Sequence, residues 1–249
     1  MIFSRIRKTR PYALLREARY LWRHRARRAF YAAFVKPGSL VFDVGANVGN
    51  YTLIFRSLGA RVVAIEPQSK LAADLARRFP PGRKGVHLER SAMGAAPGQA
   101  VLHKTADLSE VASLRSDIGQ TSRFAAEHPY VATETVPVRT LAELIAVHGK
   151  PDFCKIDVEG FEHQVLAGLD TPIRWLSFEF NREYLDVAET CLARLQKLGP
   201  YEFNYTLGED NHFTSCQWLD ATALLRILQT SRDPLLWGDI HARLPASAR

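Results

Sequence analysis

Cysteine is scarce in this 249-residue chain. Its three cysteines, Cys154, Cys191 and Cys216, are far apart, odd in number and without Cys-x-x-Cys spacing. That argues against a disulfide framework or a zinc site and suits a reducing compartment. No run of about 18 apolar residues is present, which speaks against a transmembrane helix. An n-region, h-region and small-residue cleavage site are also missing, so a secretory signal is not expected. There is no internal repeat and no low-complexity tract. What remains is an ordinary globular composition, 47% hydrophobic and 24% charged, in a chain long enough to bury a full core. A cytoplasmic location is the expectation.

Acidic residues are nearly absent from the first 36 positions, which hold 11 Lys or Arg and a single acid, Glu17. The rest of the chain is mildly acidic, so the net charge of +7 belongs to this N-terminal arm. Leu14, Leu15, Ala18, Leu21, Trp22, Ala26, Ala29, Phe30 and Ala33 recur at helical spacing and predict a helix over 12–34. A basic amphipathic helix can lie on an anionic membrane, so residues 5–28 are a candidate peripheral contact at the inner membrane face. The plainer expectation is a helix packed on the domain with a solvated basic face. A nucleic-acid-binding arm and an organellar presequence share the same composition. Pro37-Gly38 then marks a boundary between an arm, 1–36, and a domain, 37–249.

Beyond it, short apolar runs alternate with helical patterns. Strands are predicted at 40–44, 61–65, 86–89, 100–103, 134–138, 153–156 and 175–180, and helices at 51–58, 70–79, 141–147, 161–169, 183–198 and 222–228. Residues 201–205 and 213–218 are expected to pair as a terminal antiparallel hairpin. Residues 104–130 lack a period and read as a long excursion. Such alternation implies an α/β fold, a mostly parallel sheet with helices on both faces.

Three places carry the chemistry. The first is Asp43-Val44-Gly45-Ala46-Asn47-Val48-Gly49-Asn50-Tyr51-Thr52, between a buried strand and a helix. Its Gly-x-x-x-Gly spacing is not the Gly-x-Gly-x-x-Gly of a dinucleotide binder. Glycines let the backbone approach a ligand, and ligands of open α/β sheets lie at the carboxyl ends of strands. S-adenosylmethionine has no phosphate but carries an ammonium and a sulfonium, which an acid such as Asp43 suits. The second is Glu66-Pro67, an acid placed to accept both hydroxyls of a ribose. The third is Lys155-Ile156-Asp157-Val158-Glu159-Gly160-Phe161-Glu162, with Asp157 at the tip of another strand and Glu162 suited to a helix start.

The stretches VFDVGANVGNYTL, VVAIEP, SAMG, VRTLAEL, CKIDVEGFEHQVLAG and LSFEFN resemble the FkbM family of methyltransferases, over roughly residues 38–182. The resemblance implies a Rossmann-like class I methyltransferase with a seven-stranded sheet. It implies S-adenosylmethionine-dependent O-methylation of a sugar, a glycan or glycolipid, or a secondary metabolite such as a polyketide. By position, Asp43, Gly45, Ala46, Asn47, Gly49, Tyr51, Thr52, Glu66 and Pro67 would line the cofactor, with Ser91 and Ala92 beside its adenine. Asp157 and Glu159 would lie near the transferred methyl group, Asp157 also touching the cofactor.

A neutral hydroxyl needs help to lose its proton. Asp157 or Glu159 can serve as base, or a histidine, with His212 preferred and His163 next. A divalent cation held by Asp157, Glu179 and Asn181 is a further route. It is not favoured, because Glu179 and Asn181 flank Phe180 and need favourable geometry to share a site. Phe203 and Tyr205 are expected to pack, with acceptor binding as the other use. The rival functions are an RNA methyltransferase working through the basic arm and a non-catalytic S-adenosylmethionine-binding protein. A nicotinamide-dependent oxidoreductase is disfavoured by the glycine spacing. An Asp-Val-Glu-Gly block stands where base N-methyltransferases commonly place Asn/Asp-Pro-Pro-aromatic, so nucleic acid is not expected as partner.

Overall fold

The computed structural model describes residues 10–80, 85–105, 112–115 and 130–245. Two N-terminal helices, α1 (Arg10–Arg23) and α2 (Arg25–Tyr31), precede the sheet. The predicted 12–34 helix is thus broken at His24, whose φ of −99° and ψ of 28° leave the helical region. Strands β1 (Leu40–Val44), β2 (Arg61–Ile65) and β3 (Val86–Glu89) alternate with α3 (Asn50–Ser57) and α4 (Ser69–Arg78). The chain continues through β4 (Ala92–Met93), β5 (Gly98–Thr105), β6 (Tyr130–Arg139), α5 (Leu141–His148), β7 (Phe153–Ile156) and α6 (Glu162–Ala167). It ends with β8 (Trp175–Asn181), α7 (Leu185–Leu198), β9 (Glu202–Tyr205), α8 (Ala221–Thr230) and β10 (Trp237–Arg243).

The main sheet has seven strands in the order β3-β2-β1-β7-β8-β10-β9. All neighbours are parallel except β10, which runs antiparallel to both β8 and β9. This is the class I methyltransferase sheet. Chain order reverses between β1 and β7, and such a switch point opens a crevice at the strands' carboxyl ends. A second sheet, β4-β6-β5, is laid beside it.

Strand residues alternate between two apolar layers, as the two-residue period requires. Leu40, Phe42 and Val44 of β1 join Cys154, Ile156, Leu176 and Phe178 against α5, α6, α7 and α8. Val41, Val62 and Phe153 face the other way and pack with Tyr31, Phe34 and Val35, which follow or end α2, and with Ile54 and Phe55 of α3. Helix α5 starts at a capping box: Thr140 accepts from Glu143 N, and Glu143 accepts from Thr140 N. That is worth about 1 kcal/mol at the helix start.

The partner of 202–205 is 237–243, not 213–218. Residues 213–218 form no strand; Thr214 N donates to Tyr205 O at 2.8 Å, and Leu219, just beyond, bridges Phe203. Phe203 is fully buried and Tyr205 nearly so, both in the core. Of the 104–130 excursion, residues 106–111 and 116–129 lie outside the described residues; β5 and β6 take up its two ends.

Candidate functional site

At the end of β1 the chain must turn sharply under α3. Gly45 adopts φ 81°, and a Cβ there would collide with the Asp157 carbonyl oxygen. Only glycine lets the β1 turn and the β7 tip come this close. Gly45 N and Ala46 N both donate to Ile65 O, at 3.0 and 2.9 Å, stitching the turn to β2. Asn47 takes φ 49° and donates its N–H to Glu66 Oε2 at 2.9 Å. Gly49, at φ 79°, opens α3 with its α-carbon against Leu75 and Phe79.

The sheet register explains which acids gather above this turn. Asp43 pairs with Lys155, and Lys155 with Ser177; Glu179 pairs with Asp239. Two residues further along the parallel strands, on the same face, stand Gly45, Asp157 and Glu179, with Asp239 of antiparallel β10 beside Glu179. They border one cavity of about 340 Å³, together with Glu66, Asn47, Tyr51, Ser91 and Glu159. That volume lies within the range of small-molecule sites.

Electrostatically the site is crowded with carboxylates. Burial pushes Glu66 up to about 7, against the pull of the Gln68 and Asn47 N–H groups it accepts. Burial likewise raises Glu179 well above the usual carboxylate range, with Glu159 and Asp157 adding to it, and it raises Asp239. Lys155 is the buried counter-charge: Nζ lies 2.7 Å from Asp157 Oδ2 and 4.3 Å from the centre of the Tyr51 ring. Burial alone would lower its pKa; Asp157 and Asp239 outweigh that and hold it well above the ordinary lysine value. Glu159 has φ 53°, which turns its side chain back toward the strand tips; Ser113 Oγ donates to its carbonyl at 2.8 Å.

Other expected residues sit differently. Asp43 does not border the cavity. It lies buried beneath the turn, where Thr52 Oγ1 donates to Oδ2 at 2.5 Å, and burial raises it to about 6. Thr52 and Gly49 are likewise part of the framework under the turn. Glu162 is buried and accepts from Val158 N and Gly160 N, at 3.1 and 3.3 Å, so it braces the 157–160 loop. Burial raises it to about 7. His212 is not brought to the cavity: its side chain is 72% exposed, 3.9 Å from Asp210, because the 209–212 turn points to solvent. His163 also lies off the cavity lining, on α6, with its pKa lowered by burial.

Three contributors were missed. Arg27, buried on α2, borders the cavity, lies 5.2 Å over the Tyr51 ring and pairs with Glu209. Asp239 and Trp237 enter from β10. Arg27 shares the arm's helical pattern with exposed arginines, and nothing local separates it from them. For β10, the alternation of Trp237, Asp239 and His241 was an available strand signal.

The lining fits a sulfonium nucleoside. Asn47 Oδ1 and Ser91 Oγ are buried with no hydrogen-bond partner among the described residues, as expected of groups awaiting a ligand. Glu66 presents two oxygens, each with one lone pair used by backbone.

Residues 43–211 match the family of the methyltransferase FkbM domain. No curated protein matches the chain. Among solved structures, it is similar to precorrin-6Y C5,15-methyltransferase from Geobacter metallireducens, at 11% identity over 87% of this chain and 88% of that one, TM-score 0.43. It is similar to an rRNA methylase from Streptococcus thermophilus, at 12% identity over 87% and 92%, TM-score 0.41. A third is an S-adenosylmethionine-dependent O-methyltransferase from Thermotoga maritima, at 10% identity over 89% and 66%, TM-score 0.40.

Proposed function

The chain belongs to the FkbM family of S-adenosylmethionine-dependent methyltransferases, and from that premise we propose that it methylates a hydroxyl of a sugar, a glycan or glycolipid headgroup, or a secondary metabolite. The observation that carries this reading is the row of carboxylates at one end of the cavity: Asp157, Glu159, Glu179 and Asp239. Carboxyl groups in the ionised form only accept, and in either form they offer acceptor oxygens, so the row suits an acceptor that presents several O–H donors.

In this reading Glu66 holds the ribose hydroxyls, Asn47 and the Gly45–Ala46 backbone face the amino-acid end, and Ser91 and Ala92 lie beside adenine. Tyr51 and Pro67 wall the cofactor; Gly49 and Thr52 shape the turn. Asp43 acts from below, through the turn. S-adenosylmethionine supplies an already activated methyl group, so the protein's work is to position the acceptor oxygen and take its proton. Asp157 and Glu159 stand at the strand tip for that work, and Lys155, 2.7 Å from Asp157 Oδ2, fixes that carboxylate in place.

The arm, 1–36, serves twice. It sends Arg27 to the cavity, and it turns outward a Trp22 that is 68% exposed, flanked by exposed Arg19, Arg23 and Arg25. A tryptophan among arginines suits the headgroup level of an anionic membrane, which would bring a lipid-borne acceptor to the cavity mouth. Among the described residues no helix is long and apolar enough to cross a membrane. Turnover with labelled cofactor against sugars, lipid-linked glycans and polyketides tests the acceptor class. Methylation of RNA alone, with steeply salt-dependent binding, would overturn it.

A further inference from the structure

Two further buried oxygen atoms have no partner among the described residues: Glu179 Oε2, whose residue borders the cavity, and Asn181 Oδ1, whose residue does not. Both belong to β8, two residues apart and on the same face of the strand. Closed-off polar oxygens are normally paired, and each exception needs an explanation. Beside them, one oxygen each of Asp157, Glu159 and Glu179 lies within 4.8 Å of the other two. Lys155 is bonded to Asp157 and Arg27 to Glu209.

We propose that Asp157, Glu159 and Glu179 bind a divalent cation. This rests on the O-methyl-transfer reading and deepens it. The donor set is all oxygen, without histidine or thiolate, so it suits hard ions, magnesium, manganese or calcium, rather than zinc or copper. Three oxygens from the protein leave coordination positions for water and for the acceptor. An acceptor hydroxyl bound to such an ion becomes more acidic and is held in a fixed direction. The left-handed conformation of Glu159 removes the geometric objection raised by Phe180. Glu179 is met by an acid returning from the β7 loop, so it need not share the ion with Asn181 alone.

The test uses the whole chain, stripped with a chelator, and Mn2+ alone as probe. Free Mn2+ is followed by electron paramagnetic resonance, with Mg2+ as competitor. The expected result is one Mn2+ per chain, displaced by Mg2+, and bound at least about tenfold more weakly in both Glu179→Gln and Glu159→Gln. Each swap is isosteric and thins a crowd of acids, so metal-free melting temperature should not fall. No saturable binding up to about 1 mM, or equal binding by wild type and both variants, would overturn the site. Calorimetry with S-adenosylhomocysteine separates the two levels. Loss of nucleoside binding with Mn2+ binding intact would overturn the cofactor reading and leave the cation site standing.

Discussion

Glu66→Gln isolates the step on which cofactor binding depends. Glu66 Oε2 accepts from Asn47 N and Oε1 from Gln68 N, both at 2.9 Å. A glutamine has one acceptor oxygen, so its NH2 must face one of these N–H groups. That leaves a buried donor unpaired, at a cost of about 1–3 kcal/mol. On the ligand side, the ribose hydroxyls lose an ionised acceptor, worth about 1.5–3 kcal/mol. The ligand term alone predicts roughly 10- to 100-fold weaker S-adenosylhomocysteine binding at pH 8. The pH dependence is more diagnostic than the loss. Burial holds the free protein's Glu66 at about 7, and ribose hydroxyls favour the ionised form. Wild-type affinity should therefore be full above pH 7 and fall as pH drops, by up to about 1.4 kcal/mol per unit. The stability of the free protein runs the other way. A carboxyl raised from 4.5 to about 7 binds more protons folded than unfolded in that window, so this contribution is lost as pH rises through it. In Glu66→Gln both dependences should flatten, and the affinity gap between variant and wild type should narrow by about tenfold from pH 8 to pH 6. Calorimetry at pH 6, 7 and 8 measures this. A gap that stays constant across those three values would refute the assignment of Glu66 to the ribose.

Gly45→Ala should lower stability by more than about 2 kcal/mol and abolish nucleoside binding, because its Cβ meets the Asp157 carbonyl and φ is 81°; an unchanged thermal melt would contradict this. Asp157→Asn should cut turnover by roughly 100-fold or more while S-adenosylhomocysteine affinity moves far less; normal turnover would remove Asp157 from the mechanism. His212→Ala should leave turnover within about twofold, in keeping with an exposed surface substitution; a large loss would return His212 to the site despite its exposure. Trp22→Ala should weaken sedimentation with anionic vesicles and leave activity on soluble acceptors intact; equal sedimentation would dismiss the membrane contact.

The parallel half of the molecule was legible because its signals are local. Val41 to Val44, Val62 to Ile65 and Phe153 to Ile156 are buried runs, and each is followed by a motif at its carboxyl end. Period and punctuation suffice there, so Gly45, Glu66 and Asp157 could be placed at neighbouring tips from sequence alone. The same logic does not tell how deep Asp43 sits. Position in a motif tells which strand end a residue occupies, but not whether the turn after it folds over the carboxylate. Here Thr52 closes the gap from α3 and leaves Asp43 as a support.

The remaining half depends on pairings with no local trace. Residues 202–205 have a hydrophobic alternation that any edge strand would satisfy, and 213–218 offered the nearer candidate. The chain instead waits for β10, more than 30 residues later, whose antiparallel insertion between β8 and β9 is a long-range choice. That choice has a chemical consequence. A parallel strand brings its carboxyl end to the crevice; an antiparallel one brings its amino end. Asp239, near the start of β10, therefore lands opposite Glu179, and Arg27 meets Glu209 from the other end of the chain. Residues from the two termini thus complete the wall that the central motifs begin. The glycine turn and Glu66 can shape a nucleoside site by themselves. The acid-rich end of the cavity gains Asp239, and its Arg27–Glu209 border, only once the first and last parts of the chain have closed over it.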